Sequence, residues 1–353
     1  MEPQLKNNYL VIGQMSGTSL DGLDLVAVEF VFSDEKWHYK IIDAKTISYS
    51  ETWEQKLRTA HHLSGSELLQ VHNEFGKFLA GQITRFSKNF NSELIASHGH
   101  TIFHQPEKGF TFQLGNGSVV AAETGITTVA DFRQPDVALG GQGAPLVPAG
   151  DRLLFGEFDY CLNIGGFANI SYEDNSQRIA FDICPANIIL NHFAAKNGLP
   201  FDNNGDLGRN GKINTELLVK LNSLDFYKKE PPKSLGREWI ESDFLPIIDG
   251  FPGSDSDKLR TIYEHIAFQI GKSTNKPGKM LVTGGGAFNK FLIERLKELS
   301  VAKIVIPDSV TVNFKEALIF AFLGVLRIRY EINCFASVTG ARKNHSSGVI
   351  FLP

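Results

Sequence analysis

The chain has 353 residues, of which 42% are hydrophobic and 21% charged. This composition is that of an ordinary globular protein and excludes global disorder, while the length favours two lobes over a single small module. With 35 Lys and Arg against 39 Asp and Glu, the formal net charge is −4, so no basic excess favours nonspecific binding to nucleic acid or to an anionic membrane.

The sequence predicts a cytoplasmic protein without a nucleic-acid or membrane partner. The first residues, MEPQLKNNYL, lack the apolar core of a secretory signal. The longest apolar run, 317–326, is about half of the roughly 20 residues that cross a bilayer, which indicates a buried helix. The three cysteines, Cys161, Cys184 and Cys334, are far apart without C-x-x-C spacing, so neither a disulfide framework nor a cysteine zinc site is indicated.

The first predicted elements are two strands, 9–12 and 23–32, joined by a turn of small and polar residues. Glycines in the turn let backbone amides approach an anion, and Ser16, Thr18 and Ser19 add hydroxyl donors, so the turn can hold phosphates. It is not a Walker loop, because no G-K-[ST] ends it. A hairpin with a polar turn is the alternative interpretation.

A helix is predicted over 65–87 and a buried strand over 94–97. His98 and His100 follow at i, i+2 spacing, which would put them on one face of a strand. No carboxylate or cysteine set completes a metal site there, so hydrogen bonding to a polar ligand is the favoured interpretation. Asp131 and Arg133 either pair as a surface ion bridge or face a ligand. GGQGAP, 140–145, predicts a loop at the lobe boundary.

The second half opens like the first, with strands over 159–164 and 168–172 around the glycine pair Gly165 and Gly166. A third glycine turn, 284–286, lies between a strand, 279–283, and a helix, 288–299. Further on, a helix is predicted over 315–328, and turns with one short strand follow in 339–353.

Asp182 comes directly after a strand, 179–181, and before a helix that can start at Pro185. A carboxylate at the end of a strand is well placed to act as a general base. An Asp in this position can also cap the helix that follows. The sequence leaves both roles open.

Taken in order, the three glycine turns resemble the phosphate-1, phosphate-2 and adenosine motifs of the actin, hexokinase and Hsp70 superfamily. Over nearly its full length the chain also resembles the anhydro-N-acetylmuramic acid kinase family. The segments that carry this resemblance are GQMSGTSLDGLD (13–24), ASHGHT (96–101), QLGNGSVVAAETGITTVADFRQPDVALGGQGAPLVP (113–148), CLNIGGFANIS (161–171), FDICPAN (181–187), PPKSLGREW (231–239), VTGGGAFN (282–289), FKEALIFAF (314–322) and VTGA (338–341).

The resemblance implies an α/β fold, namely a two-lobed actin-like ATPase of ribonuclease H-like type with a central interlobe cleft. The first lobe would comprise residues 1–128 plus 313–353, and the second lobe residues 129–312. The implied enzyme is an ATP-dependent kinase. It would hydrolytically open the 1,6-anhydro ring of anhydro-N-acetylmuramic acid and phosphorylate the 6-oxygen, giving N-acetylmuramic acid 6-phosphate and ADP in peptidoglycan recycling.

ATP and Mg2+ are the implied cofactors, the amino sugar is the implied substrate, and a homodimer is the implied assembly; the metal ligands stay open. Asp182 would be catalytic, taking a proton from the attacking water. Substrate binding would involve His98, Asp131 and Arg133. The nucleotide would contact Gly17, Thr18, Ser19, Leu20, Asp21, Gly22, Leu23, Asp24, Gly165, Gly166, Gly284, Gly285 and Gly286.

Two positions depart from the family pattern. The usual G-P-G after the catalytic Asp is here Cys184-Pro185-Ala186, whose last β-carbon reduces backbone freedom. The usual H-G-Q-T has His100 in place of the Gln, an imidazole that titrates near neutrality. Two other functions compete: a non-catalytic sensor of sugar or nucleotide, and a glycosidase that opens the ring without ATP. A glycosidase would ordinarily need two carboxylates, and only Asp182 is clearly placed.

Overall fold

The structure of the chain is a computed structural model that describes residues 6–17, 20–274 and 276–353. It has two compact units: unit 1 comprises Met1–Phe155 and Phe314–Pro353, and unit 2 comprises Gly156–Asn313. The sequence-based division differs at the first boundary, which it puts at 128/129. The reason is that Thr128–Ala130 is a strand inside the sheet of unit 1, so the residues that follow it pack with that unit.

The described residues form two sheets from short and medium strands. The strands are β1 (Asn8–Ser16), β2 (Leu23–Ser33), β3 (Lys36–Ile47), β4 (Leu94–Gln105), β5 (Phe110–Leu114), β6 (Thr128–Ala130), β7 (Tyr160–Ile164), β8 (Phe167–Asp174), β9 (Gln177–Pro185), β10 (Lys279–Thr283), β11 (Lys303–Val305) and β12 (Val349–Phe351).

The α-helices range from single turns to helices of about six turns. They are α1 (Glu51–Thr59), α2 (Gly65–Phe86), α3 (Gly117–Thr124), α4 (Gln134–Ala138), α5 (Pro148–Leu154), α6 (Asn187–Lys196), α7 (Asp206–Arg209), α8 (Thr215–Asn222), α9 (Arg237–Trp239), α10 (Leu245–Asp249), α11 (Asp255–Ser273), α12 (Lys290–Leu299), α13 (Ser309–Ile328) and α14 (Ala336–Thr339). A π-helical turn, Ile240–Phe244, precedes α10.

The two sheets share one strand order. In unit 1 the path is β12-β6-β4-β1-β2-β3, with β5 paired to β4, and in unit 2 it is β11-β10-β7-β8-β9. Each begins with three antiparallel strands, β1 to β3 and β7 to β9. In unit 1, β4 pairs in parallel with the other side of β1, and β6 pairs in parallel with β4. In unit 2, β10 pairs in parallel with the other side of β7, and β11 pairs in parallel with β10. The predicted α/β fold class with two actin-like lobes is therefore confirmed.

The strand β12 completes the sheet of unit 1 from the far end of the chain. It pairs antiparallel with β6, with Val349 opposite Ala130 and Phe351 opposite Thr128. All three residues of β6 are buried. The C-terminal residues are therefore part of the sheet rather than an appendage.

Each unit has its own hydrophobic core. In unit 1, Ile12 and Ile95 of the sheet pack with Phe75 and Leu79 of α2. In unit 2, a larger core joins apolar residues of β7 and β8 to those of α6, α8, α11 and α12, and its member Tyr263 is fully buried. The helix α13 is long and apolar enough by composition to cross a membrane, but most of it is buried, as is typical of a core helix.

The sheet topology brings candidate residues together at one edge of each sheet. Because parallel strands run in the same direction, the carboxyl ends of β1, β4 and β6 meet at one edge of the first sheet. Those of β7 and β10 meet at one edge of the second. Ligands of α/β proteins commonly bind at such edges.

Candidate functional site

The segment between β1 and β2 contains the first predicted nucleotide-binding residues. Thr18 and Ser19 lie outside the described residues. Leu20 has a left-handed backbone with φ +62°, and Gly22 is packed so closely that an added β-carbon would lie 2.7 Å from the carbonyl oxygen of Ile47. The backbone at Gly22 is therefore packed tightly against β3.

Asp24 is the half-buried carboxylate at the start of β2. Its Oδ1 accepts a hydrogen bond from Thr46 Oγ1 at 2.6 Å. Burial raises the pKa of Asp24, and the hydrogen bond from Thr46 opposes that shift. The segment thus ends on a carboxylate that Thr46 holds in place at the same end of the sheet.

A chain of hydrogen bonds orients His100. The Tyr49 hydroxyl donates to Ser16 Oγ at 2.6 Å, and Ser16 Oγ lies 2.9 Å from His100 Nδ1. The Ser16 oxygen accepts from Tyr49, and its own hydrogen can donate to Nδ1; in that arrangement the proton of the neutral imidazole is on Nε2. Burial lowers the pKa of His100 to about 4. The imidazole therefore stays neutral at pH 7, in contrast to the expectation from the sequence.

His98 has a different environment from His100. The register of β4 against β1 shifts between Gln14 and Ser16, and Gly99 has φ +72°. This irregularity breaks the alternation of a regular strand, so the two imidazoles reach different partners. The predicted common face is thus wrong, and the metal-type cluster found among the described residues includes neither histidine.

Arg133 is the partner of His98. Its Nε donates to His98 Nε2 at 2.9 Å, and its Nη1 donates to the Gly143 carbonyl at 2.8 Å. His98 Nδ1 donates to the Gly99 carbonyl at 3.0 Å, so the ring is neutral. Burial and the neighbouring guanidinium hold the pKa of His98 well below its usual value. Within the described ranges, Arg133 bonds to these groups and not to Asp131, so the ion-bridge alternative is not observed.

Asp131 follows β6 in an unusual backbone conformation. Its φ is +53°, which is uncommon for a residue with a side chain and recurs at ligand sites. Burial raises the pKa of its carboxyl, opposed by a hydrogen bond from the Gln134 amide. Asp131, Arg133, His98 and His100 thus lie at the carboxyl ends of the parallel strands of unit 1.

In unit 2, the hairpin turn Gly165-Gly166 is held against the start of α6. The amide of Ala186 donates to the Gly166 carbonyl at 2.8 Å, and the amide of Asn187 donates to the Gly165 carbonyl at 3.1 Å. Ala186, which stands where the family pattern has a glycine, is fully buried and has φ −130° and ψ −105°. The hairpin and helix predicted here are confirmed, with the helix starting at Asn187.

The third glycine turn packs onto the end of β7. Gly284 has φ +80°, and an added β-carbon would lie 2.6 Å from Asn163 Oδ1 and 2.7 Å from the Ile164 carbonyl oxygen. A β-carbon on Gly286 would meet Ile164 at 2.3 Å, whereas one on Gly285 would meet only Asn187 Nδ2 at 3.6 Å. Backbone packing therefore requires Gly284 and Gly286 to lack a side chain, whereas Gly285 has space for a β-carbon.

A cavity of about 350 Å³ lies beside this turn. Its lining is rich in side-chain amides and has two phenylalanine rings: Asn187, Asn191, Phe201, Asp202, Asn203, Asn204, Gly285, Phe288 and Asn289. A cavity of this size with oriented polar groups and aromatic rings can hold a small molecule.

A buried hydrogen-bond network supports one wall of the cavity. Asp202 Oδ2 accepts from the Tyr263 hydroxyl at 2.9 Å, and Tyr263 in turn accepts from Asn289 Nδ2 at 2.7 Å. Asn289 Oδ1 accepts from the Leu292 amide and so caps α12. Asp202 is itself fixed by two backbone amides. The Asn289 amide therefore has one orientation.

Asp182 lies within β9 and does not cap a helix. Its Oδ2 accepts from the Leu235 amide at 2.9 Å, and its own amide donates to the Lys233 carbonyl at 3.0 Å. The helix α6 starts at Asn187 without a side-chain cap, so the capping alternative is wrong. Burial raises the pKa of Asp182, and the Leu235 hydrogen bond partly opposes this. A half-buried carboxylate with a raised pKa suits proton abstraction.

Sequence reasoning missed the residues that support the cavity. Asn187 and Asn289 lie inside the quoted segments FDICPAN and VTGGGAFN, so their position beside glycine turns was an available signal. Asp202 and Tyr263 have no local motif. Their contact joins residues 61 positions apart and is visible only in the fold.

Comparison with known proteins identifies relatives along almost the whole chain. The family model described as "Anhydro-N-acetylmuramic acid kinase" matches residues 9–353. A curated protein of that name from Mannheimia succiniciproducens is 37% identical over 96% of this chain and 98% of its own length. Another from Aliivibrio fischeri is 36% identical over the same shares.

Solved structures of similar shape are distant in sequence. Component A of (R)-2-hydroxyglutaryl-CoA dehydratase from Acidaminococcus fermentans has a TM-score of 0.46 at 12% identity, covering 91% of this chain and 99% of that one. A ROK family glucokinase from Streptomyces griseus, in complex with glucose and AMPPNP, has a TM-score of 0.42 at 9% identity, covering 89% and 99%.

Proposed function

Because this chain belongs to the anhydro-N-acetylmuramic acid kinase family and is an enzyme of that kind, we propose that it couples ring opening to phosphorylation. Water adds to the anomeric carbon of anhydro-N-acetylmuramic acid as the bond from that carbon to O6 breaks. The released O6 attacks the γ-phosphorus of ATP, and ADP leaves. The products are N-acetylmuramic acid 6-phosphate and ADP, which fits a role in peptidoglycan recycling.

The observation that carries this proposal is the Asp182 carboxylate. One oxygen is held by the Leu235 amide, and the other has no hydrogen-bond partner among the residues described. Burial raises its pKa, which makes the ionised group a stronger base. We assign it the proton of the attacking water. A fixed orientation with one free oxygen is what such a transfer needs.

We assign the adenosine of ATP to the cavity of unit 2. Its volume of about 350 Å³ and its two phenylalanine rings suit a flat heteroaromatic base, and the side-chain amides offer donors and acceptors. Gly165 and Gly166 would lie along the phosphates. In unit 1, we assign Gly17 to Asp24 to the nucleotide as well, with Thr18 and Ser19 as hydroxyl donors.

Mg2+ would accompany the nucleotide. The ion prefers oxygen ligands and usually combines one or two carboxylates with phosphate oxygens and water. The carboxylate of Asp24 has the right donor chemistry: Oδ1 accepts from Thr46, and Oδ2 has no hydrogen-bond partner among the described residues. When bound, the ion offsets the phosphate charge.

The sugar is assigned to the polar residues of unit 1. His98 is held by Arg133, and Asp131 is fixed by its left-handed backbone. A hydroxyl-rich sugar with a carboxylate is a chemical match for a guanidinium, an imidazole and a carboxylate. We also propose a cytoplasmic location and a homodimer, the latter to be measured by sedimentation.

The decisive experiment is turnover with defined reactants. Purified protein is incubated with ATP, Mg2+ and the anhydro sugar, and the products are identified by mass spectrometry. Phosphorylated muramic acid with stoichiometric ADP supports the proposal. Ring opening without nucleotide would instead indicate a glycosidase, and binding without either product would indicate a sensor.

A further inference from the structure

A second cluster of reactive side chains lies in unit 1 beside Arg133, since Gly143 accepts from Arg133 at its carbonyl and donates its amide to Asp136. It consists of Asp136 on α4, Cys334 and His345, whose ligand atoms all lie within 4.8 Å of one another. Asp136 and Cys334 are buried, and the His345 side chain is 8% exposed. We propose that these three residues form a zinc site.

The backbone holds Cys334 and His345 opposite each other. They form an isolated antiparallel bridge, in which each amide donates to the carbonyl of the other at 3.1 Å. Asp136 comes from a distant part of the sequence and is fixed by the Gly143 amide, which donates to Oδ2 at 2.7 Å. The three side chains are therefore oriented before any ion binds.

The tautomer of His345 turns a lone pair toward Asp136. His345 Nδ1 lies 3.2 Å from the Lys343 carbonyl, which can only accept, so Nδ1 carries the proton. His345 Nε2 is buried without a hydrogen-bond partner in the described part of the chain, and it lies 3.5 Å from Asp136 Oδ1. In a neutral ring, Nε2 therefore presents a lone pair to a carboxylate oxygen. A cation between them removes this repulsion.

Two separations within the cluster are near those of a tetrahedral zinc centre. Cys334 Sγ lies 3.1 Å from Asp136 Oδ1, and His345 Nε2 lies 3.5 Å from the same oxygen. Zinc bonds of about 2.3 Å to sulfur and about 2.0 Å to nitrogen or oxygen put tetrahedral ligand atoms about 3.3–3.5 Å apart. The Nδ1–H to carbonyl bond of His345 is the usual outer contact of a zinc-bound imidazole.

On binding, Cys334 would release its thiol proton to solvent and bond to zinc as the thiolate, in place of its present hydrogen bond to Asp136. His345 Nε2 and Asp136 Oδ1 would bind without losing protons, and solvent would provide a fourth ligand. The competing explanation is an imidazolium of His345 paired with Asp136. That state needs no metal and keeps the thiol protonated.

The test uses the full-length protein with metals alone. After chelator treatment, the chain is titrated with Co2+ and then with Zn2+. Binding of one Co2+ per chain, with a thiolate charge-transfer band in the near ultraviolet and tetrahedral d–d bands that Zn2+ abolishes, is the expected result. Absence of these bands at saturating Co2+, or a protonated His345 Nε2 seen by NMR in the presence of Zn2+, would overturn the site.

Variants separate this cluster from other thiols. Cys334→Ala should lose the charge-transfer band and His345→Gln should weaken Co2+ binding at least 10-fold, the usual order for loss of a ligand or its support. Cys161→Ala, which removes another buried cysteine, should leave the spectrum unchanged. If Cys334→Ala does not fold, the wild-type spectrum still decides the proposal.

Discussion

Arg133 donates from Nε to Nε2 of His98 across 2.9 Å, so a guanidinium is oriented by a neutral imidazole. The neutral state of His98 depends on its second nitrogen, which donates to the Gly99 carbonyl. A protonated His98 would have no lone pair to accept from Arg133. The two side chains are therefore coupled in orientation and in charge.

Arg133→Lys should lower kcat/KM by about 10- to 100-fold, because Lys keeps the charge but cannot donate to His98 and Gly143 together; hydrogen bonds of charged groups contribute about 1.5–3 kcal/mol. Steady-state kinetics with the anhydro sugar is the measurement. Arg85→Lys, an exposed change on α2, serves as the matched control. Equal kinetics in both variants would remove Arg133 from the sugar site.

Asp182→Asn should reduce kcat by about 10²- to 10⁴-fold, since an amide cannot take the water proton. The amide oxygen can still accept from Leu235, so the melting temperature and ATP affinity should change little. Turnover and calorimetric ATP binding are measured side by side.

The control for that change is Asp174→Asn, an exposed carboxylate of the neighbouring strand β8. It should leave kcat unaltered. Normal turnover of a folded Asp182→Asn protein would refute the role of Asp182 as base.

His100→Gln should retain activity within about threefold and leave the pH profile of kcat/KM unchanged from pH 6 to pH 8, because the His100 pKa of about 4 keeps the ring neutral over that range. The Gln oxygen can accept from Ser16 as Nδ1 does. His100→Phe, which cannot accept, is the contrasting variant and should lose more activity. A profile that shifts on replacement by Gln would mean that His100 titrates during turnover.

The two glycines of the third turn allow stability and binding to be separated. Gly284→Ala should unfold at lower temperature, since its β-carbon meets Asn163 and Ile164 below 3 Å and its φ is +80°. Gly285→Ala should melt normally, yet bind ATP more weakly if adenosine occupies the cavity that Gly285 lines. Thermal melts and calorimetry on both proteins are the measurements. If Gly285→Ala melts normally and binds ATP as tightly as the unchanged protein, this wall of the cavity is not part of the nucleotide site.

His265 should make unit 2 sensitive to acid. It is fully buried between Tyr227 and Asn222, and burial lowers its pKa from 6.5 to about 3. Below pH 6.5 the unfolded chain binds a proton that the folded chain does not, so stability is complete above that pH and falls as pH decreases toward 3. The expected loss between about pH 7 and about pH 5 is about 2 kcal/mol.

Urea unfolding at the two pH values measures this dependence. His265→Gln should remove the loss of stability that is attributed to His265 between the two pH values. His38→Gln, at an exposed position, should leave the pH dependence unchanged. An unchanged pH dependence in His265→Gln would show that His265 is not the group responsible.

Local signals in the sequence account for much of the fold. The hairpins around both glycine turns, the helix α2 and the strand β10 have clear apolar spacing and glycine boundaries, and all were predicted. The strand β3 was missed because it is a partly exposed edge strand, in which polar and apolar residues do not alternate regularly. The helix α11 was missed too. It buries the polar residues Glu264 and His265 together with its apolar residues, so its sequence lacks a clear apolar spacing.

The candidate site was less predictable than the fold. The sequence pointed to Asp182 and to the glycine turns, but whether Asp182 caps a helix depends on Leu235, which is 53 positions away. Likewise, whether Arg133 bonds to Asp131 or to His98 depends on where β4 places His98. The grouping of Asp136 with Cys334 joins residues 198 positions apart, a proximity that no local spacing encodes.

The pairing of β12 with β6 has a consequence for synthesis on the ribosome. Unit 2 is one continuous segment and can fold as soon as it emerges, whereas β6 waits for a partner that is translated more than 200 residues later. Until then β6 has an open edge, the kind of strand edge that pairs with other chains. The nascent protein therefore completes its second unit before its first, and its first sheet is exposed to misassembly for most of translation.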